Sequence, residues 1–506
     1  MASQVPSPEF LSLDMRVWHL STHEFFSGLI ILISVALITV GCYRLFFHPL
    51  AKYPGPIFAR LSEFWYVDKF FNGYAHLSIR ELHRTYGHVV RIGPNELSFD
   101  TIGAQNTIYN TEAKTFAKCG LIENAATKSY FKPGNLFTFP TGKYHQKMRK
   151  IIGQAFAPRS LLEQEGFFHT HINKLTEILE GASKQDKVVD LHDLLVYVAW
   201  DIVGDLSFGE PLGALDNGEN DPWLTQVSEH IPMMMKMVEL LDALPIQLIV
   251  RWCFAVLNLP LAKHRAYCMA KLKRRLAVQT DRKDFVSYIH GNIPDDQLLS
   301  EMSMLVLAGS ETSSTVGTAM FYHLISSPDR YRRLHEELHS AFASAADITG
   351  PLLNSLPFLN AVVDESLRIA PSVPGLLRRK SPGAVVDGQF VPSGTIVSVS
   401  TWAIHHSEKY FEHPDDFMPE RWLDPDSKDT KQANRAFSVG ARSCIGREMA
   451  VTELRLILAK LVYKFDMELQ ETDLDWQAKA KWYWIWTDAA LRIKVRQNPR
   501  GFEMPA

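Results

Sequence analysis

The residues around Cys444 are of types that could bind a metal. In FSVGARSCIGREMA, residues 437–450, this cysteine lies between Gly440 and Gly446, and Arg442 stands two positions before it. Apolar residues then recur over 454–465 at the spacing of one buried helix face. We therefore expect the sulfur at a helix start, where free N–H groups and the helix dipole favour the metal-binding thiolate.

A single thiolate suits only some metal sites. A structural zinc site takes four protein side chains and a catalytic one takes three, whereas a haem iron already has four porphyrin nitrogens and needs an axial ligand. Gly440 and Gly446 lack a Cβ, so the backbone there can approach a wide, flat group. The alternative is a buried inert cysteine, which is what most isolated cysteines are.

A second group of polar residues lies inside an apolar stretch with helical periodicity. The segment AGSETSS, Ala308–Ser314, falls within a helix that we predict over Asp295–Ser326. A glycine inside a helix costs about 1 kcal/mol relative to alanine, and a buried acid beside an alcohol is costly unless it is used. The pair Glu311 and Thr312 therefore indicates a functional helix. The alternative is an ordinary helix in which Gly309 permits a close helix crossing.

Three further charged residues follow. In DESLRIAP, Glu365 and Arg368 stand three residues apart on one helix face, a spacing that stabilises an exposed pair by only about 0.2–0.5 kcal/mol. The segment FMPERW, residues 417–422, adds Arg421. These residues carry little information on their own.

One apolar segment is long enough to cross a membrane. FFSGLIILISVALITVGCY, residues 25–43, contains 19 residues without a charge. Arg44, Lys52 and Arg60 follow it, whereas the upstream flank is mainly acidic, so the bias of positive charge predicts that the main body faces the cytosol. The alternative is a cleaved signal peptide, which would have a shorter apolar region preceded by basic residues.

The composition excludes several classes of protein. The 506 residues are 46% hydrophobic and 22% charged, which is typical of a folded globular protein. The net charge of −3 gives no bulk basic field, so we expect no nucleic acid as a partner. Five scattered cysteines without CxxC pairs fit a reducing compartment.

The sequence predicts four parts in order. They are a short lumenal segment (1–24), a transmembrane helix (25–43), a proline-rich tether (44–57) and a catalytic domain (58–506). Helical periodicity dominates the domain, so the fold class is mainly α, of the α+β kind. Short strands are expected as a hairpin over 88–100, within 384–400, and near the end as a hairpin whose tip lies near Thr487 and Asp488.

The whole cysteine string resembles a known signature. Phe437-x-x-Gly440-x-Arg442-x-Cys444-x-Gly446 is similar to the cysteine loop of the cytochrome P450 family, the haem-thiolate monooxygenases. The resemblance implies the helical fold of that family with small β-sheets, haem b as the cofactor, and Cys444 as the axial ligand of the iron. It also implies that Phe437 packs beside the sulfur and that Arg442 pairs with a haem propionate.

The resemblance assigns roles to the second group of residues too. It implies that Ala308 and Gly309 leave room above the iron, that Thr312 hydrogen-bonds the bound dioxygen, and that Glu311 connects it to a supply of protons. This reading makes Thr312 and Glu311 the catalytic residues.

Glu365, Arg368 and Arg421 are implied to form a buried charge network that braces the cysteine loop, a structural role. Here the chain has Trp422 where phenylalanine is more usual in the family.

Other basic residues are candidates to bind the haem carboxylates. The resemblance points to Arg378 in PGLLRRK and to Arg149 in KYHQKMRK, although a solvated surface charge is the alternative for each. The position four residues before Arg149 is His145, where tryptophan is frequent in the family. An imidazole can still donate a hydrogen bond to a propionate.

The resemblance is closest to microsomal fungal members that act in natural-product pathways. It implies electrons from NADPH through a separate partner, NADPH-cytochrome P450 reductase, with cytochrome b5 as a further partner. The chain would be a single-pass protein of the endoplasmic reticulum membrane, in contact with lipid, with its catalytic domain on the cytosolic face. The sequence itself contains neither a flavin domain nor a dinucleotide fingerprint.

Three functions stay open at this point. The first is a monooxygenase acting on an apolar small molecule, contacted by the segments 118–137 and 231–241, of which the second contains a pliable group of methionines. The second is a haem-thiolate isomerase or dehydratase that needs no external electrons, and the third is a non-catalytic haem sensor. Enzymes of the second kind commonly alter the acid–alcohol pair, which is intact here, and a sensor gives no reason for that pair.

Overall fold

A computed structural model describes residues 22–110, 116–119, 132–140, 142–218, 222–244, 259–487 and 489–498 of the chain. Contacts divide the chain into two units, Met1–Lys52 and Tyr53–Ala506.

The described part of the first unit, from residue 22 onwards, contains one apolar helix. Helix α1 (Thr22–Cys42) continues as a π-helical turn, Tyr43–Phe47. The stretch Phe25–Phe47 has a mean hydropathy of 2.5 and, by length and composition, could cross a membrane. Helical structure therefore continues beyond residue 43, the end of the predicted segment. It ends at Phe47, because Pro49 disfavours helical geometry at the residue before it, His48.

Helices form most of the second unit. They are α2 (Ile57–Leu61), α3 (Phe64–Phe71), α4 (Ala75–Tyr86), α5 (Ile102–Gln105), α6 (Lys143–Ile152), α7 (Pro158–Lys184), α8 (Leu191–Phe208), α9 (Ala214–Asn217), α10 (Pro222–Ala243), α11 (Leu259–Ala277), α12 (Phe285–Ile289), α13 (Asp295–Ile325), α14 (Pro328–Ala341), α15 (Gly350–Leu353), α16 (Pro357–Ile369), α17 (Thr401–His405), α18 (Glu420–Leu423), α19 (Arg447–Lys464) and α20 (Trp476–Lys479). Shorter turns are the π-helical Asn106–Asn110 and the 3₁₀ segments Gly153–Phe156, Ala345–Asp347, Lys431–Ala433 and Gly440–Arg442.

In the described residues the strands are short and form four small sheets. They are β1 (Val89–Gly93), β2 (Glu96–Phe99), β3 (Ala117–Lys118), β4 (Val189–Asp190), β5 (Arg379–Lys380), β6 (Ala384–Val386), β7 (Gln389–Val391), β8 (Ile396–Val399), β9 (Phe465–Leu469), β10 (Lys481–Trp482), β11 (Trp486–Thr487) and β12 (Arg492–Gln497). The largest sheet has the order β1-β2-β8-β5-β3, another has β4-β12-β9, and β6-β7 and β10-β11 are separate pairs.

Helix α13, the central helix, runs through the core. Asp295 and Asp296 lie in its first turn, where negative charge is favourable to the helix dipole. It packs along α8 and also contacts α11, α16 and α19. Because α19 follows the cysteine loop directly, the packing of α13 on α19 connects the two segments that the sequence marks for chemistry.

The fold class is confirmed as mainly helical with small sheets. The predicted hairpin at 88–100 is the antiparallel pair β1–β2, in which Val89 stands opposite Phe99. The predicted terminal hairpin is wrong: β10 and β11 pair around residues 483–485, and β12 pairs instead with β9 and β4. The turn contains Trp484 at φ +69°. A bulky residue rarely adopts a positive φ, so nothing in the sequence indicated a turn at this tryptophan.

Candidate active site

Backbone hydrogen bonds close the cysteine loop, residues 437–446. The N–H of Cys444 donates to the carbonyl oxygen of Phe437 at 2.9 Å. Helix α19 begins at Arg447, so the sulfur lies just before a helix start, as the sequence predicts.

The two glycines of this loop do different work. Gly440 has φ +77°, and a Cβ on it would lie 2.7 Å from the Cα of Asn110, so only glycine fits. A Cβ on Gly446 would meet the ring of Phe156 at 3.8 Å and the Cys444 sulfur at 4.0 Å, which are ordinary contacts. Gly440 therefore allows the loop to pack closely against the backbone at Asn110, whereas the lack of a side chain at Gly446 leaves space beside the sulfur.

The thiol of Cys444 lies in a confined but accessible position. The residue keeps exposed surface, yet burial by the surrounding protein is the main influence on its thiol and raises its pKa. The N–H of Gly446, which hydrogen-bonds the sulfur, and the guanidinium of Arg149 lower that pKa without offsetting the burial. The helix start alone therefore does not make a thiolate here, and a cation bound to the sulfur would supply the missing stabilisation.

Four cationic side chains gather beside the loop: Lys118, Arg149, Arg379 and Arg442. Lys118 on β3 stands directly opposite Arg379 on β5, a placement of like charges that destabilises a strand pair. Burial, together with repulsion from Arg379 and Arg149, lowers the pKa of Arg442 to about 10. Burial also lowers the pKa of Lys118, with Arg442 and Arg379 adding to the effect. The cluster therefore favours a ligand with negative charge.

The described hydrogen bonds of this cluster end on neutral oxygens. Arg149 donates to the carbonyl and the hydroxyl of Ser443 at 2.9 and 3.3 Å. Lys118 donates to the carbonyl of Phe137 and Arg442 to that of Phe139. Carbonyl and hydroxyl oxygens orient these cations but carry no net charge of their own.

His145 lies in the same place. It is 1% exposed, and its Nδ1 has no hydrogen-bond partner within the described part of the chain. Burial, together with repulsion from Arg442, Lys118 and Arg149, lowers its pKa to about 4. A neutral imidazole with an unused ring nitrogen beside this cluster fits a hydrogen bond to a carboxylate.

Arg378 binds two buried glutamates, a contact that the sequence did not predict. Its Nε and one terminal nitrogen each lie 2.8 Å from a carboxylate, those of Glu96 and Glu239, and both glutamates are buried. Its guanidinium also lies 4.5 Å from the ring centre of Tyr66. Arg378 therefore has buried carboxylate partners of its own, and it is the neighbouring Arg379 that lies near Arg442. A role of Arg378 towards the haem carboxylates stays a prediction.

One turn of the central helix offers accessible surface. Ala308 is exposed and Thr312 half-buried, whereas Val306 and Ser310 between and beside them are buried. The hydroxyl of Thr312 donates to the carbonyl of Ala308 at 2.7 Å. The hydroxyl of Ser372 donates to the carbonyl of Thr312 at 2.6 Å, which fixes this turn from outside the helix.

Gly309 and Glu311 face neighbouring helix α8. A Cβ on Gly309 would lie 3.1 Å from the side chain of Val203, so this glycine permits the close helix crossing that was the alternative interpretation. Glu311 is 6% exposed, and burial raises the pKa of its carboxyl to about 7, although a hydrogen bond with Trp200 acts in the opposite direction. Its carboxyl is therefore enclosed between helices and can both accept and donate a proton near neutral pH.

The predicted charge network lies in the core. Arg368 donates to both carboxylate oxygens of Glu365 at 2.8 Å, and Arg421 donates to Glu365 at 3.1 Å. Trp422, the residue that departs from the family pattern, donates its indole N–H to Glu365 at 3.0 Å. Burial raises the pKa of Glu365, but Arg368 and Arg421 outweigh this and hold it below its ordinary value.

His405 connects this network to the cysteine loop, a link that the sequence analysis missed. One ring nitrogen lies 2.8 Å from the carbonyl of Arg368, and the other accepts the backbone N–H of Arg435 at 3.0 Å. Arg435 stands two residues before Phe437. No local pattern marks His405, because the connection depends on α17 packing beside α16.

These residues fit haem as a ligand. The sulfur of the exposed Cys444 would hold the iron, and the cations with the unpartnered nitrogen of His145 would hold the two carboxylates.

The structure describes only part of the segments that the sequence analysis named for substrate contact. Residues 120–131 lie outside the described residues, as does Asp488. Thr487 ends β11 at the base of a hairpin, not at its tip. On α10, Met233 is 61% exposed, whereas Met235 packs near Val238 and Leu241.

Comparison with known proteins agrees with this geometry. The family model "Cytochrome P450" matches residues 52–491. Cytochrome P450 monooxygenase FUP2 of Fusarium proliferatum is 36% identical over 489 residues, which cover 92% of this chain and 96% of that protein. Cytochrome P450 monooxygenase astJ of Aspergillus oryzae is also 36% identical, over 91% of this chain and 94% of its own. Sesterfisheric acid synthase of Neosartorya fischeri is 33% identical, over 86% and 90%.

A match over most of the chain, together with an accessible loop cysteine beside a cluster of cations, leaves one assignment: this chain belongs to the cytochrome P450 family and is an oxidoreductase of the monooxygenase kind.

Proposed function

We propose that the protein inserts one oxygen atom from dioxygen into an apolar small molecule, an intermediate of fungal secondary metabolism, by hydroxylation, epoxidation or a series of such steps. The observation that carries this proposal is the pairing of an accessible Cys444 with an accessible turn at Ala308 and Thr312 on the central helix. The relatives named as cytochrome P450 monooxygenases support it.

Haem, when bound, would supply the iron at which dioxygen is reduced and from which oxygen reaches the substrate. Cys444 would hold the iron through its sulfur. Arg149, Arg379, Arg442 and Lys118, with His145, would hold the carboxylates and so orient the ring between the loop and the central helix.

The central helix would deliver protons. The hydroxyl of Thr312 can turn from the carbonyl of Ala308 towards the accessible side, since a hydroxyl hydrogen rotates freely. Glu311, with a pKa near neutrality, would hold the proton that replaces the one Thr312 donates. The intact acid–alcohol pair favours oxygen insertion over the isomerase or dehydratase alternative.

Electrons would come from NADPH through NADPH-cytochrome P450 reductase, with cytochrome b5 as a second donor. Helix α6 supports this proposal: Lys143, Lys147 and Lys150 are exposed on the same helix whose buried residue His145 lies near the cysteine loop. Such a basic face would steer an acidic partner. Reversing these three charges should weaken reductase-supported turnover while peroxide-supported turnover is retained.

The apolar helix supports a location in the endoplasmic reticulum membrane, with a single crossing and the catalytic domain in the cytosol. Protease treatment of sealed microsomes would test this topology. Digestion of the domain without detergent is the expected result, and its protection would reverse the orientation.

The function itself is tested with labelled dioxygen. Membranes that contain the chain and a reductase are given candidate apolar metabolites, NADPH and ¹⁸O₂. One ¹⁸O atom in the product is expected for each oxygen inserted. A product formed without NADPH and without label would instead indicate rearrangement of an oxygenated substrate.

A further inference from the structure

The loop 132–140 connects the central helix to the cationic cluster. Within it, Asn135 and Thr138 hold each other: the N–H of Thr138 donates to the side chain of Asn135 and the N–H of Asn135 to the hydroxyl of Thr138, both at 2.9 Å. Asn135 is 0% exposed and Thr138 7%. The loop is therefore a compact, buried turn.

The central helix holds one side of this turn. Both carboxylate oxygens of Glu301 accept the N–H of Leu136, at 3.1 and 3.0 Å. One helical turn earlier, Gln297 donates to the carbonyl of Gly134 at 2.8 Å and to Glu301 at 2.8 Å. Gln297 and Glu301 are 3% and 2% exposed, so water does not compete for these bonds.

The cationic cluster holds the other side. The carbonyl of Phe137 accepts from Lys118 and that of Phe139 accepts from Arg442. A displacement of the turn therefore moves the acceptors that orient both cations.

Glu301 has an unusual environment for a carboxylate. Within the described residues its polar contacts are the Leu136 N–H and the Gln297 amide, and no cation adjoins it. A buried carboxylate without a cation is costly, so its retention at this place needs a reason. Burial raises the pKa of Glu301 to about 7, which puts its charge within reach of ordinary changes in pH.

We propose that Glu301 is a positioning residue which, through the loop 132–140, sets the places of Lys118 and Arg442 and thereby the grip on the haem carboxylates. This inference rests on the proposed function. Ionised Glu301 holds the turn firmly, because a charged acceptor bonds an amide more strongly than a neutral one does.

The test compares three variants of the full-length haem protein. E301A removes the acceptor. E301Q keeps one acceptor oxygen for Leu136 but carries no charge. S303A, on the same helix, is the matched control: it removes a buried hydroxyl that donates to the carbonyl of Leu299 and hydrogen-bonds the thiol of Cys268 on α11.

Two measurements read the connection. Amide hydrogen exchange of residues 134–139 should be about tenfold or more faster in E301A, intermediate in E301Q and unchanged in S303A. Haem release to an apo-globin acceptor should follow the same order. After correction for the intrinsic exchange rate, exchange in the wild type should speed up as the pH falls through about 7, whereas that of E301Q should not.

Equal exchange in E301A and S303A would overturn the proposal, as would fast exchange of the loop with unchanged haem release. The reduced carbon monoxide complex of the wild type separates this outcome from a failure of the proposed function. A spectrum without thiolate character in the wild type would refute haem-thiolate chemistry whatever the loop does.

Discussion

At the scale of single residues, two adjacent residues of the same type can make entirely different contacts. Arg378 and Arg379 are adjacent, yet one pairs with buried glutamates and the other joins the cationic cluster. Successive side chains of an extended strand point to opposite faces, so one of two adjacent arginines must face away. The sequence alone could not distinguish the two arginines, because it does not give the register of β5, and the haem-binding role of Arg378 stays a prediction.

The ligand role of Cys444 gives the first prediction. Cys444→Ala should abolish the red-shifted Soret band of the reduced carbon monoxide complex and most of the bound haem, because it removes the sulfur that is proposed to hold the iron. Absorbance spectroscopy of purified protein measures both. Cys42→Ala, at an exposed cysteine of the apolar helix, is the control and should leave the spectrum unchanged.

Thr312 gives the second prediction. Thr312→Ala should retain haem but divert electrons from product to peroxide, since the hydroxyl on the accessible turn is lost. Peroxide formed per NADPH consumed is the measurement. Thr315→Ala is the matched control, because its hydroxyl also donates to a carbonyl one turn back, that of Glu311 at 2.8 Å, but the residue is buried. Equal uncoupling in both variants would contradict a specific role for Thr312.

At the scale of elements, short segments are held from several sides. The cysteine loop is fixed by Gly440 against Asn110, by Arg149 at Ser443, and by His405 at Arg435. Local strings such as 437–446 could be recognised from sequence because all their members act within ten residues. His405 and Lys118 could not, because they reach the site through packing of distant segments.

The relay through His405 gives the third prediction. His405→Leu leaves the carbonyl of Arg368 and the N–H of Arg435 without their buried partner, at a cost of about 1–3 kcal/mol each. Unfolding in urea should show a loss of stability, and haem should be released faster than in the wild type.

His406→Leu is the control for this relay. His406 bonds to Asp415 and to the carbonyl of Ile369, not to the loop, so its loss should lower stability with little change in haem release. Equal haem release in the two variants would show that His405 acts only on overall stability.

The central helix shows where sequence patterns stop being informative. Its bounds were predicted within one residue, because a long apolar periodicity is a strong signal. The role of Gly309 could not be predicted in the same way, because a glycine in a helix can either leave space for a ligand or allow close contact with a neighbour such as Val203. Only the packing partner distinguishes the two.

At the scale of the whole molecule, buried carboxyls make stability depend on pH. Burial raises the pKa of Glu453 to about 8, although a hydrogen bond with Ser313 opposes it, and one of its carboxylate oxygens has no partner among the described residues. The folded protein therefore keeps this proton at pH values where the unfolded chain has lost it. Its stabilising effect is complete below the unfolded pKa of about 4.5 and is lost as the pH rises through about 8.

Glu453→Gln gives the fourth prediction. The variant should lose less stability than the wild type between pH 5 and pH 8, because an amide does not ionise. Urea unfolding of the haem protein at several pH values measures this slope. Glu468→Gln, at an exposed carboxyl on β9, is the control and should follow the wild type. Parallel slopes for all three proteins would place the ionisation elsewhere.

The cluster of Arg378 with Glu96 and Glu239 joins α10 to the largest sheet, and it contains two acids for one base. Loss of either acid leaves a balanced pair, whereas loss of the arginine leaves two carboxylates confined together. In evolution, substitution of one acid before the arginine therefore passes through a stable intermediate. Substitution of the arginine first passes through an intermediate that is destabilised by two unpaired buried carboxylates. The fold itself sets the direction in which this junction can evolve.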